Sequence, residues 1–121
     1  MVEITIEGAR ARFNVLGWDK LWAFTSQLDI PLEHIRSVRV DPEPARGWWH
    51  GLRMPGTQVP GVITAGTYYQ KDGVVFYDVH NPDRTIVLEL EHDTYKRLVV
   101  EVEHPEETVQ MLNAAIARLP T

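Results

Sequence analysis

Two groups of side chains in this 121-residue chain have the types and spacing to do chemistry. Asp78 and His80 stand two residues apart, as do Glu89 and Glu91, and in extended backbone residues two apart share a face. If the two stretches pair as neighbouring strands, three carboxylates and an imidazole meet in one patch. That is the raw material of general acid–base catalysis or of a metal site. The plainer reading is that alternating acids mark the solvated face of a sheet. The five histidines, His34, His50, His80, His92 and His104, stand singly, without the H-E-x-x-H spacing of a zinc helix. No metal ligand, cofactor or catalytic residue is therefore assigned. Ser26 and Ser37 are the only serines, neither in a nucleophile-elbow context, and no P-loop or G-x-G-x-x-G occurs. The chain has no cysteine, which removes thiolate nucleophiles, disulfides and Cys-ligated zinc or iron–sulfur centres.

The second group is a binding constellation. Arg39, Arg46, Trp48, Trp49, His50 and Arg53 fall within fifteen residues of an otherwise acidic chain. Of these, Arg46, Trp48, Trp49, His50 and Arg53 are the candidate binding residues. Between Pro42 and Gly61 there are four prolines and four glycines with no hydrophobic periodicity, which predicts a long loop. Structureless loops longer than about 12 residues are usually functional or disordered. Adjacent tryptophans on an extended backbone point to opposite sides, so Trp48 and Trp49 do not both enter one core. Trp and Arg are the residues most enriched at interface hot spots. Two readings stay open: the 42–61 loop is an interaction surface, or Trp48 covers an open end of the core while Trp49 lies along arginine stems. Gly47, Gly51, Gly56 and Gly61 suit tight turns, and no lysine accompanies them to hold a phosphate.

Strands must position these groups. Val2, Ile4 and Ile6 alternate with Glu3, Thr5 and Glu7, and Ala11, Phe13 and Val15 follow the same period after a turn at Gly8. The first sixteen residues thus predict a β-hairpin. Trp18, Leu21 and Trp22 have the spacing of a short helix. Leu28, Ile30 and Leu32 alternate around Pro31, which marks an edge or bulged strand. Further strands are expected at Ser37–Val40, Val62–Tyr69, Val74–Val79, Ile86–Leu90 and Leu98–Val102, with turns at Lys71–Gly73 and His80–Asp83. Ile86, Leu88 and Leu90 are expected to face the core, with Val87, Glu89 and Glu91 opposite. Pro105 opens a helix, where its missing N–H is harmless, and Val109, Leu112, Ile116 and Leu119 form one apolar stripe. Strands following strands with a closing helix predict a mainly β (α+β) antiparallel fold of about eight strands, not a βαβ sheet.

The chain is expected to be a single domain over 1–121, large enough to bury roughly 65–70% of its unfolded surface. Twelve basic against seventeen acidic residues give a net charge of −5. That argues against nucleic acid or an anionic membrane as partner, since both call for a broad basic face. The charge is uneven: residues 1–71 hold eight basic and seven acidic groups, residues 72–121 four and ten. A head-to-tail homo-oligomer could use such a dipolar surface, and solubility alone could also explain it. MVEITIEG has a strand pattern rather than that of a signal peptide, and no run of 18 apolar residues exists, so a cytoplasmic protein is expected.

The stretch R-M-P-G-T-Q-V-P-G-V-I-T-A-G-T from Arg53 to Thr67 resembles the central motif of a group of uncharacterised bacterial pleckstrin-homology-like (PH-like) proteins. The strands Val75–Val79 and Ile86–Glu91 and the His104-Pro105-Glu106 helix start are similar to that group too. The resemblance implies an antiparallel PH-like barrel of seven or eight strands whose C-terminal amphipathic helix caps one end. It implies a non-catalytic scaffold and carries no activity with it. The favoured function is a binding or assembly module that contacts a protein or a second copy through the 42–61 loop. The alternative is a small enzyme or metal-binding protein using Asp78, His80, Glu89 and Glu91. Phosphoinositide-binding domains of this kind carry several Lys and Arg in the first hairpin loop, where this chain has Arg10 and Arg12. Each basic residue near an anionic surface contributes only about 1 kcal/mol. The chain is accordingly expected to stay in the supernatant when phosphoinositide vesicles are sedimented at physiological salt. Salt-sensitive co-sedimentation would show that basic residues scattered in sequence converge in space.

Overall fold

A computed structural model describes residues 1–16, 27–41, 52–53, 58–59, 63–70, 73–79 and 81–119. The short helix expected from Trp18 lies outside them. The ten strands among the described residues form two sheets. The first sheet has the order β1 (Val2–Glu7), β2 (Arg10–Val15) and β3 (Gln27–Pro31). Its β1–β2 hairpin is the one read from the alternation, with Val2 opposite Val15 and Glu7 opposite Arg10. Two residues make the turn, and Gly8 takes φ +62°, the left-handed conformation that two-residue hairpins place on glycine. Pro31 ends β3, an edge strand, where its missing N–H interrupts no ladder.

A single 3-10 turn, Leu32–His34, carries the chain into β4 (Ile35–Val40) and so into the second sheet. This sheet also holds β5 (Leu52–Arg53), β6 (Gln58–Val59), β7 (Ile63–Gln70), β8 (Gly73–Val79), β9 (Thr85–Leu90) and β10 (Arg97–Glu101). Its order is β4-β9-β10-β8-β7-β5, with β6 also on β7. Gly73, at φ +140°, brings the start of β8 against Lys96; a Cβ there would lie 2.8 Å from the lysine Cβ.

Two expectations are corrected here. The sheet is not wholly antiparallel: β10 runs parallel to β8 and antiparallel to β9, seated between them. The β8–β9 connection spans the width of that inserted strand. It is tied to the end of β10, where the Val102 N–H donates to the Arg84 carbonyl (3.1 Å) and the Asn81 N–H to Glu101 Oε1 (3.3 Å). The physical reason lies in composition. Leu98, Val99 and Val100 form an unbroken aliphatic run buried on both faces, and such runs belong in the centre of a sheet. Val87 lies on the face opposite Ile86 and Leu88, as expected, and is fully buried there in a second cluster. Nor do the ladders close into a barrel of seven or eight strands among the described residues. Chain connections and side-chain packing join the two sheets, and no ladder runs between them.

The main core lies between the sheets. Ala11, Phe13, Val15 and Ile30 from the first meet Phe76, Ile86, Leu88, Leu98 and Val100 from the second. A second buried cluster, Val75, Tyr77, Val79, Val87 and Val99, occupies the other face of the larger sheet. The C-terminal helix α1 (Pro105–Ala117) has proline at its start and Glu106 and Glu107 in its first turn, where the helix dipole favours carboxylates. It packs mainly on β4, with lesser contact to β9 and the 3-10 turn. Leu112 is fully buried, and Val109, Ala115, Ile116 and Leu119 pack against the same core. At 13 residues this helix is marginal on its own, so packing holds it. No helix among the described residues is long and apolar enough to cross a membrane.

Leu112→Ala should lower unfolding free energy by about 2–5 kcal/mol, because it opens a cavity beneath α1. Its exposed neighbour Met111 should tolerate alanine within about 0.5 kcal/mol. Urea unfolding of both variants measures the contrast.

Candidate functional site

The residues read as a carboxylate–histidine patch are not brought together. Asp78 shares a strand face with Phe76, whereas Glu89 shares one with Val87, so the two carboxylates lie on opposite faces of the larger sheet. They are also offset along it: Asp78 is level with Val100 and Glu89 with Arg97, with β10 between them. Asp78 is fully buried and lies 3.0 Å from the Met1 ammonium through Oδ2. Glu91 is beyond the end of β9, exposed, and 3.6 Å from Arg36. His80 lies outside the described residues. Among those described, no group of three or more His, Asp or Glu side chains is placed to hold a metal ion.

Glu89 instead forms the centre of a charged clamp across three strands. Arg97 Nε on β10 donates to both of its carboxylate oxygens, at 2.9 and 3.1 Å. Arg39 Nη1 on β4 donates to Oε2 at 3.0 Å, and its Nε reaches Asp41 Oδ2 at 3.3 Å. The registers explain the meeting: β9 places Glu89 opposite Arg97 on one side and Ser37 on the other, two residues from Arg39 on the same face. A carboxylate held by two guanidinium groups serves as a cross-strand tie. A second polar tie joins His34 Nδ1 and Asp93 Oδ2 at 2.9 Å, linking the 3-10 turn to the β9–β10 connection.

Of the binding candidates, Arg46, Trp48, Trp49 and His50 lie outside the described residues. Arg53 is in β5, opposite Tyr68 on β7. The 42–61 stretch is thus not wholly without regular structure: Leu52–Arg53 and Gln58–Val59 each pair antiparallel with β7, at the edge of the larger sheet. Strands of two residues leave no period to detect in sequence.

The structure adds a feature that sequence spacing did not indicate. A groove of about 390 Å³ runs between strand β1 and the first turns of α1. Ile4, Leu16, Val102 and Met111 form part of its apolar lining, and Glu3, Glu103 and Glu107 stand along it. Leu16 and Met111 are 37% and 39% exposed. Three separate parts of the chain build it, so no local motif announces it. Its one visible signal in the sequence is an exposed methionine beside the helix stripe.

Glu89→Gln should weaken the fold by about 1–3 kcal/mol, the range for hydrogen bonds to charged groups, because both arginines lose their shared anion. Arg36→Gln, which breaks only a long and exposed pair, should leave the urea midpoint unchanged.

No protein-family model, curated protein or solved structure significantly matches this chain.

Proposed function

We propose that this chain is a non-catalytic binding or assembly module, distantly PH-like, that contacts a protein partner or a second copy of itself through residues 42–61. Arg46, Trp48, Trp49, His50 and Arg53 are its contact residues. One observation carries the reading: β5 and β6 lie on the outer side of β7, so the segment that holds the paired tryptophans enters the fold at a sheet edge. Edges are where sheets meet other chains. The composition supports it too, since Trp and Arg dominate interface hot spots. A cytoplasmic setting suits a chain without cysteine. The enzymatic alternative loses support because Asp78 and Glu89 face opposite sides of the sheet.

The test is a pair of substitutions, Trp48→Ala and Trp49→Ala, read by melting temperature and by solution mass or partner capture. One of them should melt within about 0.5 kcal/mol of the parent, as surface positions do. The same variant should associate more weakly by about 2 kcal/mol, the scale of a hot spot. Substituting Arg46 or Arg53 should act in the same direction with smaller effect, since rim charges are screened. If both tryptophan variants lose several kcal/mol of stability together, the segment is a lid on the core and the reading fails.

A further inference from the structure

Strand β1 is the outer strand of the first sheet. The Leu16 N–H donates to the Met1 carbonyl at 2.9 Å, which sets the hydrogen-bonding frame of the hairpin. In an antiparallel pair the bonded positions alternate. Glu3, Thr5 and Glu7 therefore turn their main-chain groups toward β2, and Val2, Ile4 and Ile6 turn theirs to the open edge. No hydrogen bond to those outward groups exists among the described residues. Ile4 and Ile6 are only half-buried although their side chains pack on the main core.

The groove lies at the Met1–Ile4 end of this edge. Its lining is partly apolar, and it includes His104 and Met1, whose ammonium is paired with Asp78. Glu3 and Glu107 have no ion-pair partner among the described residues, and Glu103 has only its neighbour His104, at 3.7 Å. By contrast Glu7 is held by Arg12, Asp29 by Arg10 and Glu89 by two arginines. These three strand acids are held locally, whereas Glu3 and Glu107 at the groove have no ion pair among the described residues.

We infer that the β1–α1 groove binds an extended peptide of alternating aliphatic and Lys or Arg residues, which adds to the first sheet as a fourth strand. The repeating open N–H and C=O groups of β1 select an extended backbone. Alternation sends aliphatic side chains to the sheet face that carries Ile4 and cationic ones to the face that carries Glu3, with Glu103 and Glu107 adding to the negative rim. A second copy docked through its own β1 would bring like-charged rims together, which the net charge of −5 makes worse. The basic strand of a second copy, β4, already carries α1 across it. This surface is separate from residues 42–61, and the inference does not rest on their role.

The test uses the full 121-residue chain and fluorescence anisotropy of labelled, end-blocked hexapeptides. The probes are Arg-Val-Arg-Ile-Arg-Val, the scrambled Arg-Arg-Arg-Val-Ile-Val, and two forms of the first N-methylated on alternate residues in either frame. The alternating peptide should bind about tenfold or more tighter than the scrambled one, and its affinity should fall with added salt. One N-methylated frame should lose binding and the other keep it, because only one set of amides faces β1. The double variant Glu103→Gln/Glu107→Gln should bind about tenfold more weakly. Glu106→Gln, on the same helical turn but outside the groove lining, should match the parent. Amide shifts on titration should centre on Val2, Ile4 and Ile6. Equal binding of alternating and scrambled peptides, or equal effects of the two frames, would overturn the inference. So would a dimer, formed without peptide, that Glu107→Gln dissociates, since the groove would then hold a second copy. Trp48→Ala and Trp49→Ala should bind the peptide normally, so that either surface can fail without the other.

Discussion

The seat of β10 between β8 and β9 is the constraint on which the larger sheet depends. It brings Leu98 and Val100 to the core between the sheets and Val99 to the cluster on the opposite side. Through its two ladders it joins β4 and β9 on one side to β8, β7 and the short strands on the other. Glu101, buried at its end, accepts from the Asn81 backbone, so the loop that crosses the strand is fastened to it. The charged clamp depends on the same placement, because Glu89 meets Arg97 only where β9 and β10 are direct neighbours.

Charge is distributed according to what the fold requires. Where strands must be held in line, a carboxylate is matched with a guanidinium, as at Glu7 with Arg12, Asp29 with Arg10 and Glu89 with Arg39 and Arg97. The exposed pairs, Glu7 with Arg12 and Asp29 with Arg10, add little each, with a median of about 0–1 kcal/mol; they fix alignment more than they add stability. The groove rim follows another pattern, with Glu3 and Glu107 unmatched among the described residues and beside apolar side chains. Acidity gathered at one apolar edge marks that edge as different from the remainder of the strand surface.

Much of the fold was legible from periodicity. The β1–β2 hairpin followed from strict alternation and Gly8, and α1 from Pro105 and the stripe Val109, Leu112, Ile116, Leu119. Strand order was not, because a pattern of two says which side a residue faces and not which strand lies beside it. The Asp78–Glu89 expectation failed on both counts. Their parities place them on opposite faces, and β10 separates the strands that carry them. Reading Leu98, Val100 and Val102 as one face passed over Val99; an uninterrupted aliphatic run was the available sign of a central strand. Arg53 lies in a two-residue strand set by β7 rather than by any pattern of its own. The groove, assembled from residues 1–4, Leu16 and 102–111, has no local motif, and only Met111 beside the helix stripe hints at it.

The inserted strand also sets an order of events during folding. In chain order β10 follows every other strand of its sheet. Before residues 97–101 arrive, β4 with β9 and β7 with β8 can exist only as two detached fragments, each with a bare apolar edge. A chain growing from the ribosome passes through that condition, and so does any fragment cleaved between β9 and β10. Such edges are templates for intermolecular pairing. The last strand is thus also a closure: its arrival turns two aggregation-prone half-sheets into one, and the closely spaced β9–β10 connection keeps the interval short.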